Sequence, residues 1–436
     1  MSSADEIALR SRKAGVLIVR TLREAGHVAY FAGGCVRDEL LGLHPKDYDV
    51  ATDARPEAVR GLFKRVNEVG ASFGVMLVRV RGVTVEVATF RREGVYSDRR
   101  RPDEVAYAGR DEDARRRDFT INALYLDPLA APAEPFPRVR GRVIDLVEGV
   151  RDLESKTIRA VGDPEARLAE DDLRALRAVR FAARLGFSIE SGTRDAIRRH
   201  AGELVGVSRE RIGDELRLML TDPNRAQAAH LMESLDLVRP ALECSEGVSP
   251  EREDRLLAGI GPGADFPTAL AAWSIDRMDG VGVDPVRIRD GADATVSRLR
   301  SALCLSNGER DALRETLGTL ARLLLDWTGL SMAEQKRLVA HPSFARAMSI
   351  YRASDAAGAG AIDRGVEALK ATPTGLSPES LIAGNDLIDM GLQPGPRFRE
   401  ILDAVYDGQL SGEVVDRAGA EALVGRLIEE FGADGG

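Results

Sequence analysis

The chain has 436 residues, 44% of them hydrophobic, so it can bury more than one core and we expect two to four domains. No apolar run reaches the roughly 18 residues of a membrane helix, and the N-terminus lacks the basic and apolar regions of an export signal, so we expect a cytoplasmic protein without membrane contact. Three scattered cysteines and five isolated histidines form no zinc pattern, and no zinc is expected.

The net charge of −9 is unevenly distributed. From Lys370 to Gly436 there are five Lys and Arg against twelve Asp and Glu, so these 67 residues carry −7 of the total. The remainder is nearly neutral and contains clusters of arginine. Any contact with RNA must therefore be local, because the chain as a whole provides no positive field.

The first 150 residues alternate between helix and strand patterns. In chain order we predict a helix at 8–25, a strand at 28–31, a short helix that ends at Leu41, a strand carrying an acidic motif, and a helix at 52–63. A hairpin follows, with strands at 75–80 and 83–88 joined by Arg81 and Gly82. A loop with four prolines at 127–142 precedes a strand at 143–146.

Helical periodicity replaces the strand patterns after about residue 155. The strongest predicted helix is 168–185, followed by helices at 191–201, 208–220 and 225–234, with breaks at 259–267, 279–292 and 356–361. The predicted fold is α+β: an α/β head at 1–155, a helical neck at 156–236, and a helical body and tail at 237–436.

The most informative motif is a pair of glycines followed by two carboxylates. Gly33 and Gly34 precede Arg37, and Asp47 and Asp49 follow after a short linker. Residues two apart on an extended strand project to the same face, and two adjacent carboxylates favour a cation such as Mg²⁺. The glycines allow the backbone to approach phosphate oxygens, with an arginine fork beside them. Together these features predict nucleotidyl transfer.

A third carboxylate and a second acidic pair follow. Glu86 lies on a strand that can pair beside the one with Asp47 and Asp49, and it is a candidate ligand in a two-metal site. The alternative is an outward glutamate paired with an arginine. Asp111 and Asp113 repeat the same spacing, but their charged surroundings predict an ordinary solvated loop.

Three consecutive arginines at 115–117 run directly into an apolar segment. At least one of them should therefore point into a cleft toward phosphates or ribose. Asp118 and Asn122 follow closely, and either can orient that arginine or contact sugar hydroxyls.

An acidic and basic pattern in the 168–185 helix offers a template for bases. Asp171, Arg174 and Arg177 follow at a spacing of three, so they should share one face. An aspartate that accepts from an exocyclic amine beside an arginine that donates to a ring nitrogen fits cytosine and adenine, whereas uracil and guanine present the opposite polarity. The alternative is a surface helix of internal ion pairs.

From about residue 28 to about residue 218, these motifs together resemble the class II tRNA nucleotidyltransferases, a family of CCA-adding enzymes that also contains bacterial poly(A) polymerases. The resemblance implies addition of C and A to the 3′ end of tRNA from CTP and ATP, with Mg²⁺ as cofactor. It implies Asp47 and Asp49 as metal ligands and Glu86 as a further catalytic carboxylate. From the residue patterns and the resemblance together, the predicted nucleotide-binding residues are Gly33, Gly34, Arg37, Arg117, Asp118, Asn122, Asp171, Arg174, Arg177 and Arg180.

The branch of the family is open at this stage. The segment 69–75 resembles the tRNA-specific branch, 97–107 resembles a flexible loop needed for the final adenosine, and 381–412 resembles the tail region. The alternatives are a poly(A) polymerase or an enzyme that adds only CC or only A. An inactive RNA-binding relative would have lost a carboxylate, and a small-molecule nucleotidyltransferase would not need Asp171 and Arg174.

Overall fold

The structure is a computed structural model that describes residues 3–68, 74–92, 106–132, 139–244, 255–278 and 283–433. The chain divides into two compact units. The first comprises residues 1–219 and 231–247, and the second comprises 220–230 and 248–436. The head, neck and body limits given above stay predictions. No helix in the described ranges is both long and apolar enough to cross a membrane.

A mixed seven-stranded sheet forms the head, in the order β3-β4-β5-β2-β1-β8-β9. Two further two-stranded sheets pair β6 with β7 and β10 with β11. The strands are β1 Ala29–Ala32, β2 Val50–Thr52, β3 Val66–Glu68, β4 Val75–Val80, β5 Val83–Thr89, β6 Arg91–Arg92, β7 Ala106–Tyr107, β8 Tyr125–Asp127, β9 Arg142–Ile144, β10 Thr157–Ile158 and β11 Ser188–Ile189.

Helices account for most of the remaining described residues. In chain order they are α1 Ser3–Glu24, α2 Gly34–Leu40, α3 Pro56–Leu62, α4 Arg110–Arg115, α5 Gly149–Glu154, α6 Pro164–Glu170, α7 Leu173–Leu185, α8 Ser191–His200, α9 Arg209–Leu220, α10 Arg225–Ser234 and α11 Val238–Leu242. Short 3-10 helices cover Thr120–Asn122 and Ala201–Gly206. The later helices are α12 Arg255–Gly259, α13 Phe266–Asp276, α14 Pro285–Leu303, α15 Asn307–Asp326, α16 Met332–Ala340, α17 Ser343–Ser354, α18 Ala356–Lys370, α19 Gly384–Asp389, α20 Pro396–Ser411 and α21 Arg417–Ala433.

The predicted α+β class and the predicted hairpin are both confirmed. Strands β4 and β5 pair antiparallel from Val75↔Ala88 to Val80↔Val83. Arg81 and Gly82 connect them, with φ of 50° and 82°. Positive φ at both central residues is what a two-residue turn of the primed type requires, and glycine adopts it without strain.

Two predicted breaks in the helical part extend too far along the chain, although a helix ends shortly before each of them. Helix α14 begins inside the predicted break at 279–292, and α18 begins at the start of the predicted break at 356–361. Side-chain caps explain both helices, because Asp284 accepts from Val286 N and Arg287 N, and Asp355 accepts from Ala357 N and Gly358 N. Such caps satisfy the first backbone N–H groups of a helix and outweigh the weak propensity of the glycines that follow.

Strands β10 and β11 were not predicted from the sequence. They form a parallel pair, Thr157↔Ser188 and Ile158↔Ile189, within the otherwise helical part of the first unit. Two residues per strand are too few to produce a recognisable alternation of apolar and polar residues.

A buried lysine in the second unit provides a test of its packing. Lys336 is fully buried, and its Nζ donates to Thr372 Oγ1 at 2.7 Å, Thr374 Oγ1 at 2.7 Å and Leu410 O at 2.9 Å. Lys336→Met would remove these three hydrogen bonds, and we expect the free energy of unfolding to fall by about 3 kcal/mol.

Urea unfolding followed by tryptophan fluorescence measures this change. Both tryptophans of the protein, Trp273 and Trp327, lie in the second unit, so the signal reports on it. Lys370→Met is the matched control, because the Lys370 side chain is half exposed. An unchanged unfolding midpoint in Lys336→Met would show that the buried ammonium contributes no net stability.

Candidate active site

Two predicted catalytic carboxylates lie side by side where two strands pair. Strand β2 pairs in parallel with β5, with Val50 opposite Val87. Asp49, just before β2, therefore lies beside Glu86 of β5. This confirms the predicted pairing of the two strands. The observed strand is shorter than predicted: β2 begins at Val50, and both aspartates precede it.

The backbone before β2 nevertheless keeps the alternation of an extended strand. Asp49 O accepts from Ala32 N at 3.0 Å, so pairing with β1 continues beyond the end of β2. Tyr48 is 4% exposed and its hydroxyl donates to Glu39 Oε1 at 2.6 Å, whereas Asp47 and Asp49 are exposed. The two aspartates therefore project to the face opposite Tyr48, as their spacing predicts.

Burial and electrostatic repulsion both disfavour the ionised form of Asp49. Partial removal from water, followed by the negative charges of Glu86 and Asp47, raises the pKa of Asp49 to about 6, although Arg117 opposes the shift. Such a group is stabilised in its charged form by a nearby cation. Among the residues that the structure describes, no three His, Cys, Asp or Glu side chains lie close enough together to hold a metal ion.

A cavity of about 520 Å³ opens beside these carboxylates. It brings together eleven of the thirteen predicted site residues, whereas Asp47 and Arg180 do not line it. The predicted residues in its wall are Gly33, Gly34, Arg37, Asp49, Glu86, Arg117, Asp118, Asn122, Asp171, Arg174 and Arg177.

The glycine turn brings the backbone against the arginines. Gly33 has a φ of 76°, and a Cβ at this position would lie 2.9 Å from Arg117 Nη1. Any side chain here would be strained and would displace the guanidinium. Arg37 is 3% exposed and donates to Asp38 Oδ1 at 2.8 Å and to Asn122 Oδ1 at 2.6 Å, while burial lowers its pKa.

Asp118 connects the glycine side of the cavity to α7. Its Oδ1 accepts from Asn122 Nδ2 at 3.1 Å, and its Oδ2 accepts from Arg177 Nε at 2.9 Å and Nη2 at 2.7 Å. Burial would raise the pKa of Asp118, but Arg177 and these hydrogen bonds hold it below its usual value. Asp118 therefore stays ionised and fixes both neighbours.

The prediction that Asp113 belongs to a solvated loop is wrong. Asp113 is 2% exposed on α4 and accepts from Arg116 Nη2 at 2.6 Å, Arg117 Nη2 at 3.1 Å and the Tyr125 hydroxyl at 2.7 Å. Burial would raise the pKa of Asp113, but Arg117 and Arg116 hold it below its usual value. One ionised carboxylate thus orients two arginines that line the cavity.

Asp113→Asn should weaken nucleotide binding by releasing both arginines. We expect the KM for nucleotide to rise about tenfold, since each lost charge-assisted hydrogen bond contributes roughly 1–2 kcal/mol. Steady-state kinetics measure this KM. The control is Tyr125→Phe, which removes one hydrogen bond to Asp113 but neither of its ion pairs with the two arginines. Equal KM values in Asp113→Asn and the parent enzyme, at unchanged thermal stability, would contradict this role.

The predicted 168–185 helix is interrupted at the proposed base-reading pair. Helix α6 ends at Glu170, Asp171 is extended with a φ of −156°, and α7 begins at Leu173. Asp171 Oδ1 accepts from Leu173 N at 3.2 Å, so the carboxylate satisfies a backbone donor at the start of α7. Asp171 therefore lies at a helix junction, and not on one helix face with Arg174 and Arg177.

The guanidinium of Arg174 is fixed by several acceptors. Arg174 is 7% exposed, and it donates to Glu170 Oε2 at 2.5 Å, Arg167 O at 2.7 Å and Arg116 O at 3.3 Å. The ion pair between Arg174 and Glu170 spans the helix junction. Protein groups therefore set the position of the Arg174 guanidinium before any nucleotide binds.

Residues of α9 stabilise the same wall. Arg211 Nη2 donates to Asp171 Oδ2 at 2.6 Å, and Arg180 Nε donates to Glu215 Oε2 at 2.6 Å. Arg180 also lies 4.3 Å from the centre of the Phe181 ring. Arg180 therefore supports the wall from behind, which agrees with its absence from the cavity lining.

Several residues of the cavity were missed from the sequence. Arg91 and Arg116 add two cations, and Phe181 adds an aromatic face against which Arg37 lies at 5.0 Å. Arg116 belongs to the predicted arginine run, so spacing alone could have found it. The segments 69–73 and 97–105, which carry the predicted tRNA-specific signature and most of the predicted flexible loop, lie outside the described residues.

Comparisons with known proteins show the family of the chain. Residues 29–159 match the poly(A) polymerase head domain, and 186–245 match the probable RNA and SrmB-binding site of polymerase A. The CCA-adding enzyme of Levilactobacillus brevis is 33% identical over 411 residues, which cover 91% of this chain and 92% of that protein.

Solved structures are similar over the whole length. The Bacillus stearothermophilus CCA-adding enzyme, solved with CTP, has a TM-score of 0.75 and 26% identity and covers 99% of this chain and all of that one. The Thermotoga maritima CCA-adding enzyme, solved with tRNA, shares the fold with a TM-score of 0.64 at 19% identity and 99% coverage of both chains.

The fold and the cavity define a nucleotidyltransferase with a head domain of the polymerase type and a long helical continuation. The chain belongs to the CCA-adding enzyme family.

Proposed function

We propose that this enzyme adds cytidine and then adenosine to the 3′ end of tRNA, with CTP and ATP as nucleotide donors. One observation carries the proposal: a single cavity is lined by the carboxylates of Asp49 and Glu86, by several arginines, and by Asp171 with Arg174 at the helix junction. Metal, phosphate and base each have a separate set of side chains. We also propose that it works in the cytoplasm, with three free cysteines.

CCA-adding enzymes are metal-dependent nucleotidyltransferases, and we propose Mg²⁺ as the ion here. Mg²⁺ is commonly held by one or two carboxylates together with substrate phosphates, so the oxygen donors of Asp47 and Asp49 suit it. Burial and then the charges of Glu86 and Asp47 raise the pKa of Asp49, and a bound cation would favour its ionised form. When bound, the ion neutralises charge on the triphosphate and favours the deprotonated 3′-hydroxyl.

The arginines beside the glycine turn bind the triphosphate in this proposal. Transfer joins the 3′-oxygen of the RNA to the α-phosphorus and releases pyrophosphate, so the enzyme must fix the phosphates in line. Arg117 is held by Asp113, and its Nη1 donates to Asn122 O at 3.1 Å. A guanidinium positioned by protein groups loses little entropy when it binds phosphate.

The helix junction selects the base. Asp171 accepts from the exocyclic amine of cytosine or adenine, and Arg174 donates to the adjacent ring nitrogen. Asp171 is already held by Arg211 and Leu173 N, and a carboxylate has enough lone pairs to accept a further hydrogen bond. Uracil and guanine would place like groups opposite each other and leave buried groups unpaired.

Single-nucleotide extension tests the proposal. Three tRNA transcripts are prepared that end at the discriminator base, at C and at CC, and each is offered CTP alone or ATP alone. We expect CTP to extend the first two and ATP to extend only the third. Extension of all three by ATP at similar rates would contradict ordered CCA addition. Extension by CTP without any extension by ATP would assign a CC-adding enzyme, and extension of the third transcript by ATP without any extension by CTP would assign an A-adding enzyme.

A further inference from the structure

A second cavity of about 300 Å³ lies on α1, in the first unit. One stripe of the helix forms its floor at spacings of three and four, so these residues share one side of α1. The hairpin turn and the segment before β9 add one arginine each. We name this cavity the basic groove; its lining residues are Leu9, Arg12, Lys13, Val16, Leu17, Arg20, Arg81 and Arg140.

The basic groove lies on the face of the sheet opposite the catalytic carboxylates. A Cβ on Gly15 of α1 would lie 2.6 Å from Phe31 and 3.5 Å from Tyr48 Cβ, so α1 packs on the side to which Tyr48 points. Tyr48 and Asp49 are consecutive residues of extended backbone and point to opposite faces. The basic groove is therefore separate from the candidate active site.

The charge of the basic groove is entirely positive. Its lining contains five cationic side chains and no carboxylate, and Lys13, Arg20, Arg81 and Arg140 are exposed. Arg12 pairs with Glu39 at 2.7 Å and donates to Arg140 O at 2.5 Å, which joins two walls of the groove. This concentration occurs in a chain with a net charge of −9.

We infer that the basic groove binds the phosphate backbone of the RNA substrate, away from its reacting 3′ end. Four of the five cations are arginines, whose planar fork matches phosphate oxygens, and the half-buried apolar floor holds their stems in place. The stripe from Leu9 to Arg20 is about 16 Å long, which is long enough to contact several successive phosphates of one strand. The inference rests on RNA as the proposed substrate, but not on the transfer reaction.

Equilibrium binding of a tRNA transcript without nucleotides tests this directly, at about 50 mM and about 200 mM salt. The variants are Arg20→Glu and the double variant Lys13→Glu/Arg20→Glu. The matched control is Arg10→Glu, because Arg10 is exposed on the same helix but does not line the groove. We expect the double variant to bind about tenfold more weakly at low salt. The salt slope, which is the change of the logarithm of the binding constant with the logarithm of the salt concentration, should be smaller in magnitude by about two, since each lost phosphate contact lowers it by nearly one. Arg10→Glu should change affinity less than twofold.

Equal affinity and equal salt slope in the double variant and in Arg10→Glu would overturn the inference, even if an acidic peptide bound the groove. The double variant Lys13→Gln/Arg20→Gln removes the two charges without reversing them, and its affinity should fall less than that of the double glutamate variant. Single-nucleotide addition at saturating tRNA should persist in every variant. Loss of binding and loss of transfer are therefore distinguishable.

Discussion

Replacing Asp49 by asparagine should lower the rate of nucleotide addition by at least about a thousandfold. Asp49 lies just before β2, beside Glu86 in the middle of the paired strand β5, and its pKa is raised by desolvation and by Glu86 and Asp47. Loss of a metal ligand should cost roughly 4 kcal/mol of transition-state stabilisation. Asp47→Asn should have a comparable effect, and Glu86→Gln a smaller one.

The rate of CTP incorporation into a tRNA lacking its terminus measures this effect across a range of Mg²⁺ concentrations. Asp111→Asn is the matched control, because its side chain is two-thirds exposed and belongs to the acidic pair that repeats the same spacing. Circular dichroism checks that each variant is folded. A turnover rate of Asp49→Asn close to that of Asp111→Asn would contradict the assignment of Asp49 as a metal ligand.

Changes at Asp171 or Arg174 should damage nucleotide choice more than the chemical step. Asp171→Asn replaces an acceptor with a group that can donate toward the carbonyl of uracil, and Arg174→Ala removes the donor to the ring nitrogen. Each lost contact leaves its partner unpaired, at about 1–3 kcal/mol, so discrimination against UTP and GTP should fall roughly tenfold to a hundredfold.

Competition between CTP or ATP and UTP or GTP measures discrimination. Arg184→Ala and Asp195→Asn are the controls, since Arg184 lies on α7, Asp195 lies on α8, and neither lines the cavity. Selectivity in both site variants equal to that of the controls would mean that the helix junction only supports the fold. Loss of chemistry with every nucleotide, at retained selectivity, would contradict a role in reading the base.

Features set by short-range spacing could be predicted from the sequence. The hairpin around Arg81 and Gly82 follows from the alternation of apolar and polar residues and from turn chemistry. The position of Asp49 beside Glu86 follows from the pairing of two predicted strands. The exposure of Asp47 and Asp49 on either side of buried Tyr48 follows from the period of an extended chain. These properties depend on neighbours within a few residues or on one strand pairing.

Features set by distant partners could not be predicted. Asp113 has the same spacing to Asp111 that Asp47 has to Asp49, but its burial depends on Tyr125, twelve residues later. The helix at 168–185 is continuous in its periodicity, yet Asp171 leaves the helix and pairs with Arg211, forty residues away. Burial and long-range ion pairs overrode the local pattern at both positions.

The length of the product on two RNA substrates tests CCA addition most directly. A tRNA transcript without its terminus and an unstructured RNA of equal length are each incubated with CTP and excess ATP, and the products are sequenced. We expect the tRNA to gain at most three nucleotides, with cytidines before adenosine, and the unstructured RNA to be a poor primer. Long adenosine ladders on the unstructured RNA, with the tRNA extended no better, would contradict CCA addition and indicate a poly(A) polymerase.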